Sequence, residues 1–156
     1  MQRCVRTFVI LLLLGSPAVA GPHVSETIKH YTIKGNTAVG LKAQMSSKGP
    51  DGFWGYAKWW VEWDGNCNVS VDVTITLPKL SANSGASSAL KADFEKMYEA
   101  LLAHERQHGQ HGISAAKEVE AAGCNNTDPI FAKWRKADKD FDQRTQHGKT
   151  EGVVLR

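Results

Sequence analysis

Residues 88–122 read SALKADFEKMYEALLAHERQHGQHGISAAKEVEAA, and the spacing of their apolar side chains decides how the rest of the chain must fold. Leu90, Phe94, Met97 and Leu101 step by four, three and four, and His104, His108 and His111 continue the same seam. That period is helical, with Lys91, Asp93, Glu95, Lys96 and Glu99 around the remaining circumference. The spacing predicts one amphipathic helix from about 88 to 122 with its histidines on the core-facing stripe, weakened or kinked at Gly109 and Gly112. Ala115, Val119 and Ala122 continue it to a stop at Gly123, just before Cys124.

Within this helix His104-Glu105-Arg106-Gln107-His108 is an HExxH motif. With six His and eight Glu in the chain, chance gives such a pattern roughly once in a hundred sequences of this length, so its surroundings must carry the reading. Residues four apart on a helix lie almost above one another, so both imidazoles can reach one metal ion, and Glu105 is rotated about 100° toward the flank. The expected chemistry is zinc-dependent hydrolysis of a peptide or amide bond. His104 and His108 are ligands in this reading, and Glu105 is the general base.

A catalytic zinc usually takes a third protein ligand. His111 lies about 10.5 Å along the helix from His104, which suits an outer position better than a ligand. Glu118 and Glu120 meet the same objection, and His23 and His30 stay open. His147 arrives from a different helix and is the favoured third ligand, with Asp142 the alternative. Tyr98 and Tyr56 are candidates for an oxyanion donor by residue type alone.

Before the helix, residues 53–77 alternate with period two. Phe53, Ala57, Trp59, Val61 and Trp63, then Cys67, Val69, Val71, Val73, Ile75 and Leu77, fall on odd positions, which predicts an antiparallel hairpin of 53–63 and 67–77. A two-residue turn would set the apolar sets on opposite faces. A three-residue loop, Asp64-Gly65-Asn66, aligns them, with Trp63 opposite Cys67, Lys58 opposite Asp72, and Gly65 or Asn66 in the left-handed position. Pro78 is expected to end the hairpin. Trp54, Tyr56 and Trp60 lie on the other face, read as a covered second face, with a substrate-contacting strip as the alternative.

Nearer the start, His30 to Lys34 reads as a strand, and Ala38, Leu41 and Met45 as a short helix ending at Gly49-Pro50. After the long helix, Asp128-Pro129 opens a last helix of about 129–146 through Ile130, Phe131, Trp134, Ala137 and Phe141, with Gly148 as its stop. The tail beyond Gly148 carries no pattern. The fold class is therefore α+β, with the hairpin sheet packed on the long HExxH helix and the last helix beside it.

Arg3 and Arg6, an apolar run from Phe8 to Leu14, and Ala18-Val19-Ala20 together read as a secretory signal peptide over residues 1–20. Cys4 is expected to leave with it. Residues 21–156 then suffice for one domain, acting in the periplasm or outside the cell, with no membrane attachment after cleavage. The formal net charge of +3 falls by the charges of Arg3 and Arg6, so nothing points to a nucleic-acid partner. In an oxidising compartment the even pair Cys67 and Cys124 most often forms a disulfide; a shared metal site is the weaker alternative. The expected partner is a peptide or protein substrate, and a secreted metal-binding or partner-binding module without turnover is the competing class.

Taken together, Tyr31-Thr32-Ile33-Lys34-Gly35-Asn36-Thr37, Gly49-Pro50, Trp59, Trp63, Cys67, Leu77-Pro78, the HExxH motif, Cys124 and the closing run from Phe141 to Gly148 resemble the bacterial proteins described as predicted secreted zinc-dependent proteases. The resemblance implies a zincin-like metallopeptidase domain over 21–156, a Cys67–Cys124 bridge, and a site role for Asp142 and His147. Two positions depart from the family pattern: Gln107 stands where glycine is usual, and Phe141 where tyrosine is usual.

Overall fold

The computed structural model describes residues 21–156; the signal-peptide reading lies outside them. The chain runs β1 (His23–Ile33), α1 (Ala38–Lys48), a 3-10 turn at Pro50–Gly52, β2 (Tyr56–Trp63), β3 (Val69–Leu80), α2 (Ser88–Ala121), α3 (Asp128–Thr145) and a second 3-10 turn at Lys149–Glu151. The fold is α+β, as expected. Its sheet has the order β1-β3-β2, with β1 parallel and β2 antiparallel to the central strand.

The period-two alternation of β3 is realised in full. Val69, Val71, Val73, Ile75 and Leu77 are all buried, and they meet the seam of α2, where Leu90, Phe94, Met97, Leu101 and Val119 are buried in turn. Burying such side chains contributes about 1.5–3 kcal/mol each, so this layer contact holds the long helix across the sheet. By contrast, β1 is much longer than the strand read from residues 30–34, because ladder pairing from His23↔Ser70 to Ile33↔Leu80 extends it. Only Ile33 of β1 is buried. An edge strand held mainly by its main chain leaves no apolar alternation for a sequence to reveal.

Two expectations for the hairpin need correction. Its loop does hold three residues, but they are Gly65-Asn66-Cys67, closed by Cys67 N–H to Asp64 C=O at 3.0 Å and Asp64 N–H to Asn68 C=O at 3.3 Å. Cys67, at φ 60°, takes the left-handed position expected for Gly65 or Asn66. Trp63 therefore pairs with Val69 and Lys58 with Thr74, while Asp72 faces Trp60. The parity that puts both apolar sets on one face survives; the register moves by two. The side chain of Asp64 makes the choice, since its carboxylate accepts from the Asn66 and Asn68 amides, both at 2.9 Å, and from Asn68 Nδ2 at 2.7 Å. An aspartate caps a loop this way only from the position before it.

Pro78, expected to end the hairpin, lies inside β3. The Asp64–Asn68 bond turns even-numbered amides of β3 toward β2, and β2 stops opposite Thr76. The N–H that Pro78 lacks would have met no strand. The other sheet face is only partly covered: Trp54 reaches Ser46 of α1 through Nε1 at 3.2 Å, whereas Trp60 is 60% exposed.

Helix α2 is continuous through Gly109 and Gly112, with no break in its helical run. Close packing is what these glycines serve. A Cβ at Gly109 would stand 2.9 Å from Val73 Cγ1, and one at Gly112 would stand 2.4 Å from Trp59 Cγ. Gly112→Ala must displace Trp59, and overpacking of this kind costs about 1–3 kcal/mol; thermal unfolding should show the loss, and an unchanged midpoint would mean that Trp59 has room to move.

Cys67 and Cys124 form a disulfide, with Cα atoms 5.7 Å apart, joining the hairpin loop to the end of α2. Beyond it, α3 opens with Asp128 and Pro129 in its first turn; Thr127 stands at the cap position and makes no side-chain capping bond. It closes at Thr145, because Gln146 and His147 both adopt positive φ before Gly148 does. The tail has structure after all: Val153 and Leu155 are buried in the core. Among the described residues no helix is long and apolar enough to cross a membrane.

Candidate metal centre

Helices α2 and α3 face each other through two short ladders of four-residue spacing, His104/His108 on one and Asp138/Asp142 on the other. Their side chains meet in pairs. Asp142 Oδ1 lies 3.1 Å from His104 Nε2 and 3.2 Å from His108 Nε2. On the far side of each ring a second carboxylate waits: Glu151 Oε2 is 2.8 Å from His104 Nδ1, and Asp138 Oδ1 is 3.0 Å from His108 Nδ1. His104, Glu105 and His108 are buried. Phe141 packs on both rings, with centroids 4.7 Å from His104 and 5.2 Å from His108, so its phenyl is a wall of the site.

His104, His108 and Asp142 each offer a ligand atom, and these atoms lie within 4.8 Å of one another, a grouping that could hold a metal ion. The alternative third ligand of the sequence reading is thus the one that the fold brings to the histidine pair. His147, the favoured one, stands beside it: its Nδ1 is 3.4 Å from Asp142 Oδ1 and its side chain is 57% exposed. It lines the same cavity and touches the Phe53 ring at 5.2 Å between centroids. His111 occupies an outer position, with Nδ1 2.7 Å from Asp138 Oδ1.

Tyr98 is not at the site. It points to the other end of α2, where its hydroxyl meets His30 Nε2 at 3.0 Å beside a separate hollow. Seven residues, almost two full turns, separate it from Glu105. Tyr56, the other candidate by type, does line the cavity.

Glu105 faces a cavity of about 340 Å³, bordered by Phe53, Trp54, Tyr56, Ala57 and Leu101. Gly55 brings the backbone against it; a Cβ there would sit 2.7 Å from Glu105 Oε1. Burial pushes the Glu105 carboxyl up to about 7, reinforced by Asp142 and opposed by His108 and the Ala57 amide. For His108 burial works against the charged form, yet the Asp138 hydrogen bond and the charges of Asp142, Glu105 and Asp138 outweigh it and raise its pKa. Burial likewise disfavours the Asp138 anion, and hydrogen bonds from His108, His111 and Trp59 overcome that and hold its pKa below the usual range.

Asp138 and Glu151 were not singled out in the sequence. Asp138 carries a signal in hindsight, since it lies one turn before Asp142 and shares its helix face. Glu151 carries none.

Residues 28–148 match the family model described as "Bacterial protein of unknown function (DUF922)". The chain belongs to this family. No curated protein and no solved structure matches it. The DUF922 match spans both cysteines, the HExxH motif, Asp138, Asp142 and His147, and stops before Glu151.

Proposed function

We propose that this protein is a zinc-dependent peptidase in which His104, His108 and Asp142 hold the metal and Glu105 is the general base. One observation carries the reading: three possible ligand atoms converge on one point. With a carboxylate beside each Nδ1, both imidazoles present Nε2 toward a carboxylate oxygen little more than 3 Å away. Two imidazole nitrogens and a carboxylate oxygen so close, and largely buried, suit a positive charge between them. A divalent cation meets that need for all three at once, and two nitrogens with one carboxylate oxygen form a donor set that suits zinc.

Zinc held there would bring the pKa of its bound water toward roughly 7 and polarise a substrate carbonyl. Glu105, on the neighbouring face of the helix, accepts the proton of the attacking water and returns it to the leaving amine. Burial favours the protonated form of Glu105, which helps a carboxylate that must take a proton from water and then give it up. The aromatic and aliphatic lining of the cavity suits a peptide with an apolar residue beside the cleaved bond. The disulfide supports action in an oxidising compartment, the periplasm or the exterior.

The test is metal content and turnover together. Purified protein should bind one zinc and cleave a peptide mixture, lose cleavage to a chelator, and regain it with zinc. Asp142→Ala should lower zinc content far more than His147→Ala. The opposite ranking would exchange their roles, and protein that binds no zinc would end this reading.

A further inference from the structure

We propose that Lys139 and Lys149 form a cationic rim that selects peptides carrying a carboxylate close to the cleaved bond. The inference rests on the peptidase reading and names the substrate class for it. The cavity beside the metal centre has two unlike walls. On one side stand Phe53, Trp54, Tyr56 and Leu101; on the other, α3 and the turn after it contribute Lys139 and Lys149, both exposed. The first wall accepts an apolar side chain, and the second offers two ammonium groups to whatever lies next to it in the peptide.

Both lysines are held at the cavity by their backbones. Lys139 lies on α3 three residues before Asp142, so the two are neighbours on the helix surface. Lys149 opens the 3-10 turn Lys149–Glu151, which Gly148 seats against the centre: a Cβ at Gly148 would stand 3.2 Å from His104 Cγ and 2.5 Å from Val153 Cγ2. Val153 is buried and its N–H donates to Gly148 C=O at 3.0 Å, which anchors the turn. The lysines of α3 that form ion pairs are others, Lys133 with Glu118 and Lys136 with Asp140. Among the described residues Lys139 and Lys149 have no such partner.

The carboxylates nearby are turned toward the rings. Asp138 meets His108 and His111, Asp142 meets His104 and His108, Glu151 meets His104, and Glu105 is buried. A substrate carboxylate arriving from solvent therefore meets the two ammonium groups first. Each exposed pair of this kind is worth roughly two- to fivefold and is screened by salt. An Asp or Glu side chain and a free C-terminus supply the same anionic group.

Matched fluorogenic peptides test this, with Glu or Gln beside an apolar residue at the cleaved bond and each with a free or an amidated C-terminus, so that side chain and terminus are told apart. Wild-type kcat/KM should be about 4- to 25-fold higher for the carboxylate that is read, the product of two such pairs, and the preference should shrink at high salt. Lys139→Gln with Lys149→Gln should remove it, and Lys139→Glu with Lys149→Glu should turn it toward a peptide with Lys at that place. Both side chains are exposed, so these variants should fold with an unchanged Tm. Equal kcat/KM for acidic and neutral peptides would overturn the proposal. A preference kept by the double Gln variant would overturn it too, by assigning the carboxylate to the metal. Titration of the labelled peptides by fluorescence polarisation needs no turnover. Wild-type protein that cleaved nothing yet bound the acidic peptides better, and lost that in the double Gln variant, would refute the peptidase and keep the rim; equal binding would refute the rim.

Discussion

Glu105→Gln is expected to lower peptide cleavage by about 10²- to 10⁴-fold, the usual contribution of a general base, while zinc content stays at the wild-type level. Glutamine keeps the shape of the side chain and cannot take a proton. The carboxylate lies on the flank of the His104/His108 pair, outside the grouping of ligand atoms, so the substitution removes chemistry and leaves the donor set intact. Burial also works in the variant's favour: a neutral amide replaces a group whose charged form is penalised there, so the folded state should not suffer. The pair of measurements separates an enzyme from a binding module. Equal cleavage by the variant would eliminate Glu105 as the base, and zinc lost along with cleavage would make it a ligand.

The second large effect concerns stability. Replacing both Cys67 and Cys124 by serine should destabilise the protein by about 4 kcal/mol, the loop-closure value for a separation of this size in the chain-entropy model, the separation here being 57 residues. For a chain of this length that corresponds to a fall in Tm of roughly 10 to 15 °C. The loop it closes contains β3 and all of α2, so the bridge ties the hairpin loop to the helix end in the unfolded chain as well. Reductant should lower the wild-type Tm toward that of the double variant, and identical melting of oxidised protein and variant would show that the bridge adds nothing. Mass spectrometry settles the bond itself, since two free thiols in oxidised protein would contradict it.

Among these features the helix was the most legible. The spacing of Leu90, Phe94, Met97 and Leu101 is a local property, and His104 and His108 extend the same stripe, so the burial of the histidine pair followed from one dimension. The odd-numbered face of the hairpin followed too, because strand parity needs no knowledge of a partner. Register did not. It was set by which backbone amides the Asp64 carboxylate reaches, and a shift of two residues leaves the hydrophobic pattern unchanged. Gly109 and Gly112 looked like weak points of a helix because their purpose lies across the interface, in Val73 and Trp59. Tyr98 was a candidate by type, and only the fold shows it facing His30.

The third member of the site marks the same boundary. His147 and Asp142 both sit at the end of the last helix, and the sequence offers either. The left-handed turn at Gln146 and His147 leaves His147 mostly in solvent, while Asp142, still helical, points its carboxylate between the two rings. The sequence by itself determined the α+β class, the buried histidine pair with its neighbouring glutamate, and the cysteines available to pair, all properties of spacing along one element. Only tertiary structure decided that Asp142 joins the pair, and that Asp138 and Glu151 stand behind it. Contacts between α2, α3 and a C-terminal turn depend on where separate elements dock, and no period within any one of them records that.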